Sequence, residues 1–293
     1  MKVAFLQNTH RREQMLAHAL RRGMAAHKDK LEIVPYDDDP HDLDCDAIAF
    51  AGVKCREWHQ FCRDSGRRFL YFDKGYYYPK EKDYSAGMKI LNCWRVAVDT
   101  NQPLEYLAGA RHTAKRWNSF GPQPKPWREA TPDGHIIVAG SSPKFHLFHG
   151  LPEPTAWASA VVAELRRHTD RPIHYRPKPS WWIGCPDKAV PIDGTEFVPD
   201  RSFEERAAGA HAIVTYGSNA ALIGMLMGVP SVILGNGVMR LISSTDLSEA
   251  EDPQMATEEE RLQLLANLAH SQFTLAEWAK GEAWGSIKAR FLQ

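Results

Sequence analysis

The hydrophobic positions of the first half form short apolar runs separated by amphipathic segments, a pattern typical of alternating strands and helices. Apolar runs predict buried strands, and segments with helical spacing predict helices between them. The predicted strands are 2–6, 31–35, 47–50 and 68–72, and the predicted helices are 10–26 and 57–65. Because strands that alternate with helices pair in parallel, this half predicts a mostly parallel sheet covered on both faces.

The second half repeats this alternation after a segment without periodicity. Residues 119–134 carry four prolines and two glycines, which predicts a linker. The predicted strands that follow are 135–139, 172–175, 212–214 and 231–234, and the predicted helices are 154–167, 203–208, 220–227, 257–269 and 274–279. We therefore expect an α/β protein with two Rossmann-like domains, 1–125 and 126–293, facing each other across a cleft. The C-terminal helical tail is assigned to the second domain.

The composition is that of a globular protein without a membrane partner. Of the 293 residues, 43% are hydrophobic and 25% are charged. No apolar run approaches the ~20 residues that a spanning helix needs. The five cysteines form no CxxC pair, which favours reduced thiols and a cytoplasmic location and offers no zinc-ligand spacing.

Charge is unevenly distributed although the net charge is zero. Residues 1–130 hold 22 Lys/Arg and 17 Asp/Glu, so the first part carries +5 and the rest −5. The cations cluster at 11–12, 21–22, 63–68 and 111–116. A positive half attracts polyanions such as DNA, but solvated helix faces give the same pattern, and both interpretations stay open.

Three predicted strands of the second half end in polar loops. Since parallel strands present their carboxyl ends at one edge of a sheet, we expect these loops to lie together. Hydroxyls, backbone N–H groups and cations in such loops suit a diphosphate, although each loop alone could be ordinary turn chemistry. The candidate ligand-binding residues are Ser141, Ser142, Lys144, His146, Arg176, Lys178, Gly217, Ser218 and Asn219.

Two familiar nucleotide motifs are missing from the sequence. No GxGxxG follows the first strand of either half, and no GxxxxGK[ST] occurs. This argues against NAD-dependent enzymes and P-loop kinases.

The run VTYGSNAALIGMLMGVPSVILG at 214–235, with RPKP at 176–179, resembles the C-terminal half of GT-B glycosyltransferases, especially the capsule-polysaccharide enzymes. The stretch from Ser243 to Trp284 resembles predicted glycosyltransferases encoded by bacteriophages, including enzymes that act on DNA. Together the resemblance covers 135–284. It departs from the family where Ala-Ala-Leu-Ile-Gly replaces a helix that often carries Glu, and where Lys178 replaces a common His.

This resemblance implies a GT-B-like fold in which the second domain binds a nucleotide-diphosphate sugar, most simply a UDP-sugar, and the first binds the acceptor. The candidate residues of the second half then become donor-binding residues. Fixed cations and amides stabilise the departing nucleotide, so the resemblance implies neither a metal nor a further cofactor. A base must take the proton of the acceptor hydroxyl.

The first half offers two loops for that acceptor side. In YFDKGYYYP, residues 71–79, Asp73 follows a buried strand and is the first candidate base. In QNTHRR, residues 7–12, His10 is a second candidate base. The candidate acceptor-binding residues are Arg11, Arg12, Lys74, Tyr76 and Tyr77, with Tyr78 as a further stacking ring. The alternative is that Asp73 caps a turn, His10 lies on a helix surface and the tyrosines pack between loops.

The function that follows is a metal-independent glycosyltransferase. The positive half and the phage-like tail suggest a hydroxymethylated pyrimidine in double-stranded phage DNA as acceptor, with the base flipped out of the stack and the enzyme in the host cytoplasm. A polysaccharide-directed glycosyltransferase and a nucleotide-sugar epimerase are the enzyme alternatives. A nucleotide- or DNA-binding module without chemistry is the alternative from another class.

Overall fold

The chain divides into two compact units, each built on one sheet. The computed structural model describes residues 1–7, 10–36, 42–77, 93–129, 133–178, 190–198 and 203–291, so Tyr78 and Cys185 lie outside the described residues. Unit 1 comprises Met1–Gly121 and Ala266–Gln293, and unit 2 comprises Pro122–Leu265.

The described elements alternate between strands and helices, as the hydrophobic pattern predicts. In the first part of the chain they are β1 (Lys2–Gln7), α1 (Arg11–Ala26), β2 (Lys30–Pro35), β3 (Ala47–Ala51), α2 (Arg56–Ser65), β4 (Phe69–Lys74), β5 (Cys93–Val98), α3 (Leu104–Gly109) and α4 (Lys115–Asn118). They continue with β6 (His135–Ala139), α5 (Pro143–His149), α6 (Pro154–Leu165), β7 (Ile173–Arg176), β8 (Glu196–Phe197), α7 (Phe203–Ala207), β9 (Ala210–Thr215), α8 (Ala220–Leu226) and β10 (Ser231–Ile233). After two short 3₁₀ helices come α9 (Glu258–Ala269), β11 (Gln272–Thr274), α10 (Leu275–Lys280) and α11 (Glu282–Phe291).

Unit 1 contains a six-stranded sheet in the order β11-β5-β4-β3-β1-β2. The strands β2, β1, β3 and β4 pair in parallel, whereas β5 runs antiparallel to β4 and β11 antiparallel to β5. Unit 2 contains a five-stranded sheet in the order β10-β9-β6-β7-β8, in which every pair is parallel. The expected α/β architecture with two Rossmann-like sheets is therefore confirmed.

The C-terminal tail packs on unit 1, which corrects its assignment to the second domain. Strand β11 pairs with β5 and places Phe273 opposite Trp94. Trp278 and Trp284 are fully buried in the core cluster of the first sheet. Helix α1 approaches α10 so closely that a Cβ on Gly23 would lie 1.9 Å from the Trp278 carbonyl oxygen. The apolar face of the tail is visible in the sequence, but the pattern does not say which of two sheets it covers.

A buried carboxylate ties the last helix to the rest of unit 1. Asp29, whose side chain is 2% exposed, accepts hydrogen bonds from Trp284 Nε1 at 2.7 Å and Lys288 Nζ at 2.8 Å, and from the amino group of Met1 at 2.6 Å. Burial alone would raise the pKa of Asp29, but these donors outweigh burial and lower it to about 2. The ionised Asp29 therefore links α11 to the start of β2 through its hydrogen bonds with Trp284 and Lys288.

Residues 122–129, predicted as part of a linker, form an ordered strap on unit 2. The strap Lys125 N–H donates to the Leu226 carbonyl at 3.0 Å, and Arg128 N–H donates to the Gly228 carbonyl at 2.9 Å. Trp127 Nε1 donates to the Ala256 carbonyl at 2.7 Å. The backbone of this proline-rich segment thus pairs with the end of α8 and with Gly228 just after it.

No helix in the described ranges combines the length and the apolarity that a membrane crossing requires.

We expect Gly228→Ala to destabilise unit 2 strongly. Gly228 has a φ of +80°, and a Cβ there would lie 2.1 Å from the Pro126 carbonyl oxygen of the strap. The variant should lose about 3 kcal/mol of unfolding free energy, of which left-handed backbone strain supplies ~1 kcal/mol. Gly150→Ala is the matched control, because Gly150 has a φ of +64° and no atom within 4 Å of its Cβ position. Urea unfolding measures both, and equal losses in the two variants would contradict a packed strap.

Candidate functional site

The predicted donor loops of unit 2 lie at one edge of its sheet. Strand β6 pairs in parallel with β7 on one side and β9 on the other, and Ala139 is in register with both Arg176 and Thr215. The loops that follow these three strands therefore start side by side. We call this set, residues 140–146, 176–178 and 216–219, the unit 2 edge.

The YGSN loop is held in place by the last residue of β9. Thr215 is fully buried, and its hydroxyl donates to the Ala139 carbonyl at 3.1 Å. The same oxygen accepts from the Ser218 N–H at 3.3 Å, and Ser218 Oγ accepts from the Ala220 N–H at 3.2 Å. Thr215 thus joins the ends of β6 and β9 and fixes the loop that follows β9.

A second loop, which contains Gly235 and Gly237, packs closely against YGSN. A Cβ on Gly237 would lie 2.7 Å from the Cα of Gly217, and a Cβ on Gly235 would lie 2.3 Å from the Tyr216 ring. The loop after β10 therefore needs glycine at these two positions to approach the edge so closely. The sequence alone gives no reason to select them, since their role depends on a neighbour outside the motif.

The other two loops supply hydroxyls and cations. Ser142 caps α5, since its Oγ accepts from the Phe145 N–H at 3.4 Å, and Ser141 is 7% exposed. Lys144 and Lys178 are exposed. Arg176 is 9% exposed and its guanidinium lies 5.2 Å from the centre of the Phe203 ring. The edge therefore holds three positive side chains, of which two reach water.

His146 does not fit the predicted donor contact. It is 2% exposed, its Nδ1 lies 2.7 Å from the Pro152 carbonyl oxygen, and its ring packs on Trp157. Burial lowers its pKa, so the neutral ring is favoured. The rings of Phe145 and His149 on the same helix are 4.3 Å apart between centroids, and those of His149 and Tyr216 are 5.3 Å apart. Sequence spacing alone does not show which face of this short helix turns inward.

Unit 1 carries a cavity at the carboxyl ends of β1, β3 and β4. Its volume is about 510 Å³. The lining residues are His10, Arg11, Arg12, Glu13, Ala51, Gly52, Val53, Lys54, Asp73 and Trp94. In the order β4-β3-β1-β2 the chain reverses direction across the sheet between β1 and β3, and ligands of open α/β sheets bind at such switch points. We call this the unit 1 cavity; it brings together both predicted bases and the two predicted arginines.

Asp73 is held by a network of polar side chains. Its Oδ2 accepts from Arg95 Nη2 at 2.9 Å, and its Oδ1 accepts from the Lys74 N–H at 2.7 Å. Arg95 also donates to Gln102 Oε1 at 2.9 Å. Asp73 is 28% exposed at its side chain and Arg95 13%. The carboxylate is therefore fixed in orientation, and the side chain stays partly exposed where it lines the cavity.

Of the tyrosines predicted to stack on the acceptor, Tyr76 is buried in unit 1 and Tyr77 is half-buried there. Tyr76 is 5% exposed, its hydroxyl donates to Gln102 Oε1 at 3.2 Å, and burial raises its pKa. The ring of Tyr77 lies 5.3 Å from that of Trp117, and Gln272 binds its backbone. Lys74 is exposed and is not among the cavity-lining residues. The apolar run of β4 does not reveal that β5 and β11 extend the sheet and cover this segment.

Four residues of this region are not selected as candidates from the sequence: Glu13, Lys54, Trp94 and Arg95. Lys54 donates to Glu13 Oε1 at 2.6 Å, and Trp94 lies under the Arg12 guanidinium, 4.5 Å from the ring centre. Arg95 is the fourth. Lys54 follows the predicted strand 47–50 and could have been found by the same rule that selects Asp73. Trp94 and Arg95 lie on β5, a strand from which the sequence motifs select no site residue.

The described residues contain no group of three or more His, Cys, Asp or Glu that could hold a metal ion. The spacing Asp-x-Asp occurs at Asp42, Asp44 and Asp46. Asp46 accepts from the Lys2 N–H at 2.7 Å, and Asp44 pairs with Lys2 Nζ. These acids therefore lie at the amino end of β1, at the opposite edge of the sheet from the unit 1 cavity.

Comparison with known proteins shows the fold. No protein-family model and no curated protein matches the sequence. A structure of Thermosulfurimonas dismutans KpsC, described as a beta Kdo 2,4 transferase, is 15% identical with a TM-score of 0.53 and covers 91% of this chain and 89% of that chain. A second KpsC structure from that organism, a beta Kdo 2,7 transferase, is 12% identical with a TM-score of 0.52 and covers 99% of each chain.

The chain has the GT-B fold. The resemblance to GT-B capsule enzymes is thereby confirmed in its fold, and the likeness at these identities extends to the fold alone.

We expect Thr215→Val to loosen the unit 2 edge. The change keeps the shape of the side chain but removes the hydroxyl that joins Ala139 and Ser218. The Ala139 carbonyl and the Ser218 N–H then lose this hydrogen-bond partner, at a cost of ~1–3 kcal/mol of folding free energy. Amide exchange at Ser218 should become at least tenfold faster. Thr155→Val on α6, where the residue is partly exposed, is the control and should leave this rate unchanged. Unchanged exchange in Thr215→Val would show that the loop is held by other contacts.

Proposed function

We propose that the protein is a glycosyltransferase that moves a sugar from a nucleotide-diphosphate donor, bound at the unit 2 edge, to an acceptor hydroxyl in the unit 1 cavity. The observation that carries this proposal is that residues selected for donor and acceptor chemistry lie at the carboxyl ends of parallel strands in two separate sheets. The GT-B fold that the chain shares with two Kdo transferases supports it.

The charges of the unit 2 edge support a nucleotide-sugar donor. Positive charge comes from Lys144, Lys178 and Arg176. Backbone N–H groups come from the YGSN loop at the carboxyl end of β9. A diphosphate gains negative charge as its bond to the sugar breaks, so fixed cations and amides stabilise the leaving group. The rings of Phe145, His149 and Tyr216, which are tilted to one another by 45–79°, offer aromatic faces on which a nucleotide base stacks. UDP is the nucleotide we propose.

Asp73 is the proposed general base. It accepts the proton of the acceptor hydroxyl as the hydroxyl oxygen forms a bond to the anomeric carbon of the donor. The bond from that carbon to the phosphate oxygen breaks, and the nucleotide leaves with the electron pair. Arg95 holds Asp73 in one orientation through the 2.9 Å ion pair and so acts as a positioning residue.

The contacts of the basic residues favour a glycan-like acceptor over duplex DNA. Arg67 binds carbonyl oxygens of 43–45, Arg68 pairs with Asp99, and Arg116 pairs with Glu277. Arg111 binds backbone carbonyls of α3 and the residue after it. These side chains have partners inside unit 1, so much of the excess positive charge serves the fold. Hydroxymethylated pyrimidines in DNA are included as one class of acceptor in the activity assay described below.

A nucleotide-sugar epimerase is the second candidate, because the unit 1 cavity holds two carboxylates. Glu13 and Asp73 both line it. Each has its own cation, Lys54 at 2.6 Å and Arg95 at 2.9 Å. An epimerase would convert the donor without an acceptor, whereas a transferase releases nucleotide only in step with sugar transfer.

The test is incubation of the full chain with UDP-, TDP- and CMP-sugars and with glycan, sugar-acid and hydroxymethylated-DNA acceptors, followed by mass analysis of both product classes. We expect a mass gain of one sugar on one acceptor class with release of nucleotide. Conversion of a nucleotide sugar without acceptor would establish the epimerase instead. Absence of turnover with every donor, alongside measurable nucleotide binding, would leave a binding module.

Asp73→Asn should separate binding from chemistry. Loss of the base should lower the transfer rate by ~10²–10⁴-fold, while the affinity for the nucleotide stays the same because the change lies in unit 1. Asp64→Asn is the control, since Asp64 is exposed on α2 and contacts only Gln60 in the described structure. Melting temperatures show that both variants fold. A transfer rate in Asp73→Asn within threefold of the parent would exclude Asp73 as the base.

A further inference from the structure

The unit 1 cavity carries more positive charge than binding of a neutral sugar requires. Four cations line or border it: Arg11, Arg12, Lys54 and Arg95. Two of them are neutralised, because Lys54 pairs with Glu13 and Arg95 pairs with Asp73. Arg11 and Arg12 have no carboxylate partner among the described residues, so the cavity keeps two positive charges.

The start of α1 adds to this positive field. Helix α1 has 16 residues, and Arg11 and Arg12 are its first two. Its N-cap residue, His10, makes no side-chain capping hydrogen bond. The first N–H groups of a helix have no partner within the helix, and the helix dipole places partial positive charge there. An anion in the cavity would therefore meet both the side chains and the backbone of this turn.

A buried donor without an acceptor lies at the same place. Trp94 is 1% exposed and lines the cavity, and its indole Nε1 has no hydrogen-bond partner in the described structure. Arg12, stacked on the Trp94 ring, also leaves its Nε without a partner. Buried donors are rarely left unsatisfied, because an unpaired polar group costs free energy. An oxygen of a ligand in the cavity, placed at the edge of this stacked pair, would provide the missing acceptor.

We propose that the unit 1 cavity binds an oxyanion of the acceptor, a carboxylate or a phosphate, through Arg11, Arg12 and the indole of Trp94. The inference rests on the proposed function for the identity of this ligand as the acceptor; the anion site itself stands on the cavity. Asp73 lines the same cavity, so the reacting hydroxyl belongs to the same small molecule as the anionic group. An acidic sugar or a sugar phosphate meets this requirement, and a neutral sugar does not.

The test is calorimetric titration of the full chain with glucuronate, inorganic phosphate and glucose. We expect glucuronate or phosphate to bind at least tenfold more tightly than glucose, and the stronger of the two identifies the anionic group. Arg12→Gln and Arg11→Gln should each weaken that binding about tenfold, since each removes a charged hydrogen bond. Trp94→Phe, which keeps a ring under Arg12 and removes only the N–H, should weaken it severalfold.

Arg22→Gln is the matched control. Arg22 is an exposed arginine on the same helix, ten residues and ~15 Å further along its axis. Its substitution makes the same charge change and should leave the affinity within twofold of the parent. Equal weakening in Arg22→Gln and Arg12→Gln would reduce the effect to net charge and overturn the site. Anion binding that survives Arg11→Gln and Arg12→Gln combined would place the anion elsewhere and overturn it as well.

Failure of this inference and failure of the proposed function give different results. Sugar transfer to neutral acceptors at the rate of acidic ones would overturn the anion site while keeping the transferase. Anion binding that depends on Arg12, in a protein that transfers no sugar, would keep the site and remove its role as an acceptor site.

Discussion

Parallel strand pairing is the constraint on which both candidate sites depend. In unit 2, β6 pairs in parallel with β7 and β9, so three loops from distant parts of the sequence leave the sheet at one edge. In unit 1, β1, β3 and β4 place the start of α1, Lys54 and Asp73 around one cavity in the same way. An antiparallel arrangement would send alternate loops to opposite edges and separate these groups. The direction of the strands therefore determines which side chains come together at each site.

The loops at these edges are fixed by tertiary contacts. Thr215 reaches across to β6, and Gly235 and Gly237 let a further loop approach Tyr216 and Gly217. In unit 1, Arg95 of β5 orients Asp73 of β4. Such contacts hold donors and acceptors in place before a ligand arrives, which reduces the ordering that binding would otherwise require. Four of the clustered arginines, Arg67, Arg68, Arg111 and Arg116, likewise have partners inside unit 1.

The sequence predicts the parts of this structure whose signals are local. A buried apolar run followed by a polar loop predicts that Asp73, Ser141 and the YGSN loop lie at the carboxyl ends of strands, because strand and loop are adjacent in the chain. Tyr76 and His146, which the sequence suggests are accessible to a ligand, are buried in the structure. Their exposure depends on whether β5 covers the segment after β4 and on which face of α5 turns inward, and neither is encoded within the motif.

Long-range pairing explains the other differences. Trp94 and Arg95 belong to a strand without a clear pattern, and β11, which completes the sheet, arrives from the far end of the chain. The tail with Trp278 and Trp284 has an apolar face that suits either sheet, and only the buried contacts with α1 and Asp29 select unit 1. Local amphipathicity thus predicts that an element is buried, and tertiary structure decides where.

Hydrogen exchange of the full chain with and without UDP tests the central claim, that the carboxyl edge of the second sheet is the nucleotide site, most directly. The account predicts slower exchange in segments 140–146 and 215–219 when UDP is bound, with no change in 166–172 at the opposite edge of the same sheet. Protection confined to 166–172 or to unit 1, under conditions where UDP binds, would contradict it.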